Sequence, residues 1–403
     1  MHVMNEEAKP HIEAEPVKQK RRISVRFIVA LVFAAVIIAA LLVVSNIGGE
    51  LSVKGVKQTW TIITGGAKNA SFTFEDGFDS VFADLGGAVV AAGGTGVVIL
   101  DSGGREIARD MLAMQNPAVV SGAGIAVVYG VGGRGIRVAD ETGIVASLTF
   151  ESNIVSCSVG SSSGLFSGGT VFAVCTEGTD NYRGHVTVYK LAGSGPEAIY
   201  NWSSGEGYVL SAEIAPGNDG LAVLTLSPRG GRVVLLKLDS IEAQGEYIQD
   251  GVAIIEMGYL NSGALIARTA DGLLSIDGIG AASEIYSFEG KSVAGYCDDG
   301  GSSIVVYFEN AAGGNTSGEL IVLDRRGTEL GRMNTSRSLV WLSAYADRVA
   351  VLWDDGLVIY DRSLRLVASY PEASGMLQGY SRGASRAVVF GNREGKAFSG
   401  KTE

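Results

Sequence analysis

Ile304-Val-Val-Tyr-Phe308 and Leu320-Ile-Val-Leu323 are two apolar, β-prone runs separated by a polar, Gly-rich interval. Directly after them come a turn sequence, Asp324-Arg-Arg-Gly327, and a third β-prone run, Glu329-Leu-Gly-Arg-Met333. Runs this continuously apolar fit strands buried on both faces rather than a one-sided sheet. Asp and Gly between them fit tight turns, because Gly adopts positive φ freely and Asp bonds back to its own backbone.

The same pair of runs recurs along the chain. Hairpins begin at Ala88, Ile125, Val171, Leu221, Ala264, Ile304, Val349 and Ala387, spaced 37, 46, 50, 43, 40, 45 and 38 residues apart. A less regular run precedes several of them, at 153–159, 208–214, 292–297 and 340–345. Four short strands every ~40–50 residues is the period of a β-propeller blade. The pattern predicts an all-β, eight-bladed β-propeller over residues 71–403, with seven blades as the alternative if one pair is misread. The eighth hairpin ends near Phe398, leaving no room for a fourth strand. Ser71-Phe-Thr-Phe-Glu-Asp76 is a β-prone segment without a hairpin of its own. It is expected to complete the last blade and close the ring, since an open ring leaves strand edges unpaired.

Composition agrees with a repeat fold. Of 403 residues, 46% are apolar and 19% charged, which excludes disorder along the whole chain. Gly supplies 57 residues, about twice the typical ~7%. Three Cys exclude a disulfide-framework protein. A net charge of −11 argues against nucleic acid as a partner, because phosphate binding needs clustered cations.

Residues 27–44 are 18 uncharged Val, Ile, Leu, Ala and Phe residues. As a helix they span ~27 Å, and ~31 Å if continued to residue 47, matching a hydrocarbon layer of ~30 Å. Lys18, Lys20, Arg21, Arg22 and Arg26 precede the stretch, and no cation follows it before Lys54. The positive-inside bias therefore predicts a disordered cytoplasmic tail (1–26), a signal-anchor transmembrane helix in the lipid bilayer (27–47), a linker (48–70) and an extracytoplasmic propeller (71–403). A cleaved signal peptide and a buried core helix are the competing readings; the first has a shorter apolar region and the second a polar face.

No motif specifies catalysis or a cofactor. Gly130-Val-Gly132-Gly133-Arg-Gly135 matches a dinucleotide fingerprint, but a strand rather than a helix follows it. Gly395 to Thr402 satisfies the phosphate-loop pattern with only Glu403 beyond it. Glu75-Asp76-Gly-Phe-Asp79, Asp298-Asp299-Gly and Asp354-Asp355-Gly cluster oxygens as calcium sites do, yet lack the 12-residue ligand loop. His185, the one His outside the expected tail, sits in a polar stretch and reads as a surface loop residue. Trp353 ends an apolar run and reads as packing. Cys157 and Cys175 fall in the expected first and second strands of the third blade and form a candidate disulfide, with two buried free thiols as the other reading. Catalytic residues, a metal and a cofactor are all expected to be absent.

The string Val322-Leu-Asp-x-x-Gly-x-Glu-Leu330 resembles quinoprotein-type (PQQ/YVTN-type) propeller repeats. With its basic tail, single anchor and acidic Gly-rich repeats, the chain resembles a family of uncharacterised bacterial single-pass, membrane-anchored β-propellers. Relatives by repeat include envelope assembly scaffolds and quinone-dependent dehydrogenases. The paired Cys and Cys-x-x-Cys-His of the latter are missing here. The expectation is a non-enzymatic binding or assembly scaffold for cell-envelope proteins or polymers. A carboxylate-dependent hydrolase and a ligand-sensing ectodomain are the alternatives. Inward carboxylates at the central channel would favour an enzyme, and an apolar, aromatic loop face would favour a scaffold.

Overall fold

The computed structural model describes residues 69–73, 81–101, 104–161, 169–193, 195–240, 242–310, 317–382 and 385–399. The expected tail (1–26), membrane helix (27–47) and nearly all of the linker (48–70) lie outside the described residues. Among the described residues, no helix is long and apolar enough to cross a membrane.

Eight four-stranded antiparallel sheets follow one another along the chain. Seven are built in sequence order, at 81–111, 117–149, 154–204, 208–250, 254–287, 292–335 and 339–370, numbered here as blades 1 to 7. Blade 8 takes three strands from 378–399 and its fourth, outermost strand from Asn69–Thr73, which pairs antiparallel with Glu394–Ser399. All eight hairpins read from the sequence are the second and third strands of their blades, which removes the seven-blade alternative.

The core lies between blades. Side chains alternate along each middle strand, and both faces are covered, giving one apolar cluster at each of the eight interfaces. In blade 3, Phe172 and Val174 face blade 2, while Val171, Ala173 and Cys175 face blade 4. That alternation corrects the candidate disulfide. Cys157 sits opposite Val174 and faces blade 2, whereas Cys175 sits opposite Ser156 and faces blade 4. A one-residue offset on adjacent strands puts the two sulfurs on opposite faces of the sheet, and both are free thiols.

The ring closes twice over. Within blade 8 the register runs from Asn69 opposite Phe398 to Thr73 opposite Glu394. Between blades 8 and 1, Phe390 stacks on Phe82 at 4.5 Å, the Tyr380 hydroxyl donates to the Phe82 carbonyl at 3.0 Å, and the Arg382 guanidinium makes a two-pronged pair with Asp84.

Each blade has two ends. At the upper end lie the starts of the innermost strands and the turns joining second and third strands. At the lower end the innermost strands finish, and the turns joining third and fourth strands cap the blade. The Asp-x-x-Gly repeat belongs to those lower turns. Asp324 Oδ1 accepts the backbone N–H of Arg326 and Thr328, both at 2.8 Å, and Asp277 and Asp361 do the same in blades 5 and 7. Gly327 then turns with φ +80°, and a Cβ there would lie 1.8 Å from the Ile285 carbonyl oxygen of blade 5. Gly327→Ala should cost about 2–3 kcal/mol from strain and overlap together, read as a lower denaturant midpoint at unchanged slope. An unchanged midpoint would mean that the turn swings free of blade 5.

Candidate functional site

The phosphate-binding look-alikes are turns and strands. Gly130 and Gly135 flank the hairpin turn of blade 2, where the Gly132 N–H donates to the Ile154 carbonyl at 2.8 Å. Gly395 and Lys396 lie in the third strand of blade 8, and residues 400–402 fall outside the described residues. His185 is the second residue of a strand rather than a loop residue. Its Nε2 accepts the Thr179 N–H at 3.2 Å, so Nδ1 carries the proton and donates to Ser203 Oγ at 2.7 Å. A His held that way cannot take the Ser203 proton, and among the described residues no carboxylate orients it as a triad requires. Trp353 is buried, edge-on to Tyr307 at 5.7 Å, as packing.

The Asp-Gly pairs also have structural work. Asp355 pairs with Arg337, and Asp299 accepts the N–H groups of Gly301, Ser302 and Ser303 at 2.8, 2.8 and 2.9 Å. Arg362 of blade 7 meets the same Asp299 carboxylate at 3.0 Å. Residues 75–79 lie outside the described residues. Among the described residues, no group of three His, Cys, Asp or Glu side chains is placed to hold a metal ion.

What the sequence reading missed, Asp298 apart, is on the innermost strands, around the ring axis. Those strands carry four carboxylates, Asp84, Glu213, Glu256 and Asp298, and no Lys or Arg. Asp84 and Glu256 are paired with Arg382 and Arg268. Glu213, the last residue but one of its strand, has no ion pair or hydrogen bond among the described residues. Its charge bears on Tyr129 of blade 2, Cys175 of blade 3, Tyr259 of blade 5 and Asp298 of blade 6. Its side chain is partly buried. Burial pushes the Glu213 carboxyl up to about 8, and Asp298 adds to the rise. Asp298 is raised as well, by burial first and then by Asp299 and Glu256, against the Gly300 N–H that lowers it. The Tyr259 phenol is pushed up to about 12 by burial, with Asp219 and Glu213 contributing.

The upper end carries exposed apolar side chains. Tyr208, Ile255, Val340 and Leu377, at or near the starts of the innermost strands of blades 4, 5, 7 and 8, are exposed, as are Val131 and Tyr182 in the upper turns of blades 2 and 3. Ile255 and Val340 are bulge residues, each the extra residue between Ile254 and Glu256 or between Leu339 and Trp341. A bulge re-aims its side chain out of the pleat, and here it turns an apolar group outward.

Residues 67–390 match the family described as "Family of unknown function (DUF5711)". The chain belongs to that family. No curated protein matches it in sequence. Among solved structures, Sqt1 from Saccharomyces cerevisiae is similar at 13% identity and TM-score 0.58, over 82% of this chain and 98% of that one. The C-terminal WD40 domain of Sif2 is similar at 13% identity and TM-score 0.55, over 83% of this chain and 95% of that one. At such identities the likeness shows the propeller fold and nothing about activity.

Proposed function

We propose that this DUF5711 protein is a single-pass, membrane-anchored propeller whose ring lies outside the cytoplasm and acts as a non-enzymatic binding or assembly scaffold for envelope proteins or polymers. The apolar upper rim is the observation that carries this reading. Large exposed side chains on a rigid ring hold a partner without any titrating group. The anchor rests on residues 27–47 and their basic flank. Residues 27–403 carry 26 basic and 39 acidic side chains, so a basic partner surface is the natural complement, and association should weaken with salt.

Inward carboxyls are the feature that would favour a hydrolase, but the two without an ion pair among the described residues do not fit one. A glycosidase needs one carboxyl kept protonated and its partner kept ionised. Glu213 and Asp298 are both pushed the same way, upward, by burial.

One experiment tests location and surface together. Ile255→Cys, treated in intact cells with a membrane-impermeant maleimide photocrosslinker, should label and join one envelope component. Adding Val340→Asp should abolish the joining but not the labelling, and the parent chain should stay unlabelled. Absence of labelling would overturn the topology. Joining that survives Val340→Asp would overturn the upper rim as the surface.

A further inference from the structure

The lower end of blades 6, 7 and 8 gathers arginines in a chain of net charge −11. Arg325 and Arg326 lie in the lower turn of blade 6, Arg365 lies in that of blade 7, and Arg386 begins the second strand of blade 8. All four are exposed, and none has an ion pair among the described residues. The acids beside them are engaged. Asp324 and Asp361 accept the N–H groups of their own turns, Glu329 pairs with Arg332, Asp347 with Arg348 and Asp299 with Arg362. Tyr345 and Leu366 of blade 7 are 57% and 65% exposed at the same end, one closing the innermost strand and the other opening the outermost. Contacts tie these elements together. The Arg362 guanidinium donates to the Ala346 carbonyl at 3.2 Å, joining the lower turn of blade 7 to the residue after Tyr345. A Cβ on Gly331 of blade 6 would lie 2.9 Å from the Arg362 carbonyl oxygen, so that turn lies against blade 6.

The path of the chain says what that end meets. Asn69–Thr73 runs upward, from Asn69 opposite Phe398 to Thr73 opposite Glu394, so the chain enters the ring at the lower end of blade 8. Arg386 lies opposite Ser399, one residue along from that entry. Residues 48–68 separate Asn69 from the expected anchor at 27–47. Unpaired cations with a Tyr and a Leu, on the side where the chain arrives, have the chemistry of a peripheral bilayer contact. Each Arg near an anionic headgroup layer favours contact about fivefold, and Tyr and Leu enter the boundary between headgroups and acyl chains. We propose that the lower end of blades 6, 7 and 8 rests on the anionic headgroups of a phospholipid bilayer. This rests on the membrane-anchored reading given above. The other side of the same end is acidic, with exposed Glu141, Asp239 and Glu242 in the lower turns of blades 2 and 4. Repulsion holds that side off, so the ring tilts on blades 6 to 8 and its apolar upper rim points away from the lipid.

Fluorescence quenching on the full chain in lipid nanodiscs tests this, with a nitrobenzoxadiazole label on Leu366→Cys and the labelled parent chain as background. Co-elution with the discs reads the anchor separately. In discs of phosphatidylglycerol doped with a spin-labelled lipid, the label on Leu366→Cys should be quenched, and one on Ile255→Cys at the upper rim should not. Quenching should fall in phosphatidylcholine discs, and also in 1 M salt, where the screening length shrinks to about 3 Å. Replacing Arg325, Arg326 and Arg365 together by Ser should lower the ratio of docked to free ring on the order of a hundredfold. Arg229→Ser, in the upper turn of blade 4, should change nothing. A chain that does not co-elute with the discs would overturn the anchor and the contact together. Co-elution without quenching, equal quenching in phosphatidylcholine or at Ile255→Cys, or quenching that survives the triple substitution would each overturn the lower-end contact alone.

Discussion

Raising the pH from 5 to 9 should lower the melting temperature of this propeller, and Glu213→Gln should remove most of that loss. The Glu213 carboxyl has an ordinary value of 4.5 and is pushed up to about 8 in the fold. Below pH 4.5 the group is protonated whether the chain is folded or not, so it costs nothing. Between about 4.5 and 8 the unfolded chain releases the proton while the folded chain retains it, and stability falls as pH rises. Above about 8 the full penalty is in place, on the order of 5 kcal/mol, or about 7 °C for a ring of this size. Asp298 is raised in the same sense and should leave a smaller residual slope in the variant. Gln keeps the shape of Glu without the charge, so the variant should melt above the parent at pH 9 and alongside it at pH 5. Parallel profiles for the two proteins would mean that the Glu213 carboxylate is ionised and well solvated in the channel.

Why this residue escaped a reading of the sequence is instructive. The hairpins are legible because the second strand of each blade is apolar on both faces, so Ile304 to Phe308 or Val349 to Trp353 stand out as unbroken runs. The innermost strands are half open to the axis, and their mixed character reads as irregularity. Glu213 in Tyr208-Val-Leu-Ser-Ala-Glu-Ile214 looks like an ordinary interruption of a strand. The signal was available only after laying the repeats over one another. Glu213, Glu256 and Asp298 then fall in the same strand of three consecutive blades. Cys157 and Cys175 show the opposite limit. Whether the two side chains share a face depends on a register offset of one residue, Cys157 opposite Val174 and Ser156 opposite Cys175, which spacing along the chain does not reveal. The Asp-x-x-Gly repeat was the most visible motif and proved to be a turn cap. Leu364 makes the same point in blade 7. It occupies with φ +57° the position that Gly280 and Gly327 fill elsewhere, so the turn survives where the motif has lost its glycine.

Deleting residues 69–73 while keeping everything before them should be the most damaging small change to this chain. Those five residues form the outermost strand of blade 8, paired from Asn69 opposite Phe398 to Thr73 opposite Glu394. Their backbone hydrogen bonds alone are worth roughly 3–5 kcal/mol. The larger cost is architectural. Without them Glu394–Ser399 becomes an open strand edge, a template for pairing with another chain. Tyr370 of blade 7 stacks on Phe398 of that strand at 4.6 Å, so loosening the edge reaches into the interface between blades 7 and 8. The seam on the other side, Phe82 on Phe390 and Arg382 on Asp84, joins blade 8 to blade 1 and depends on the same sheet. The deletion should therefore aggregate on purification or melt far below the parent. Deleting residues 1–60 instead removes none of the described strands of the ring and should leave its melting unchanged. Supplying the missing segment as a free peptide spanning residues 67–76 should restore part of the melting temperature in a concentration-dependent way, as binding to the folded state requires. A deletion that melts like the parent, or one that the peptide does not rescue, would mean that Asn69–Thr73 lies against blade 8 without completing it.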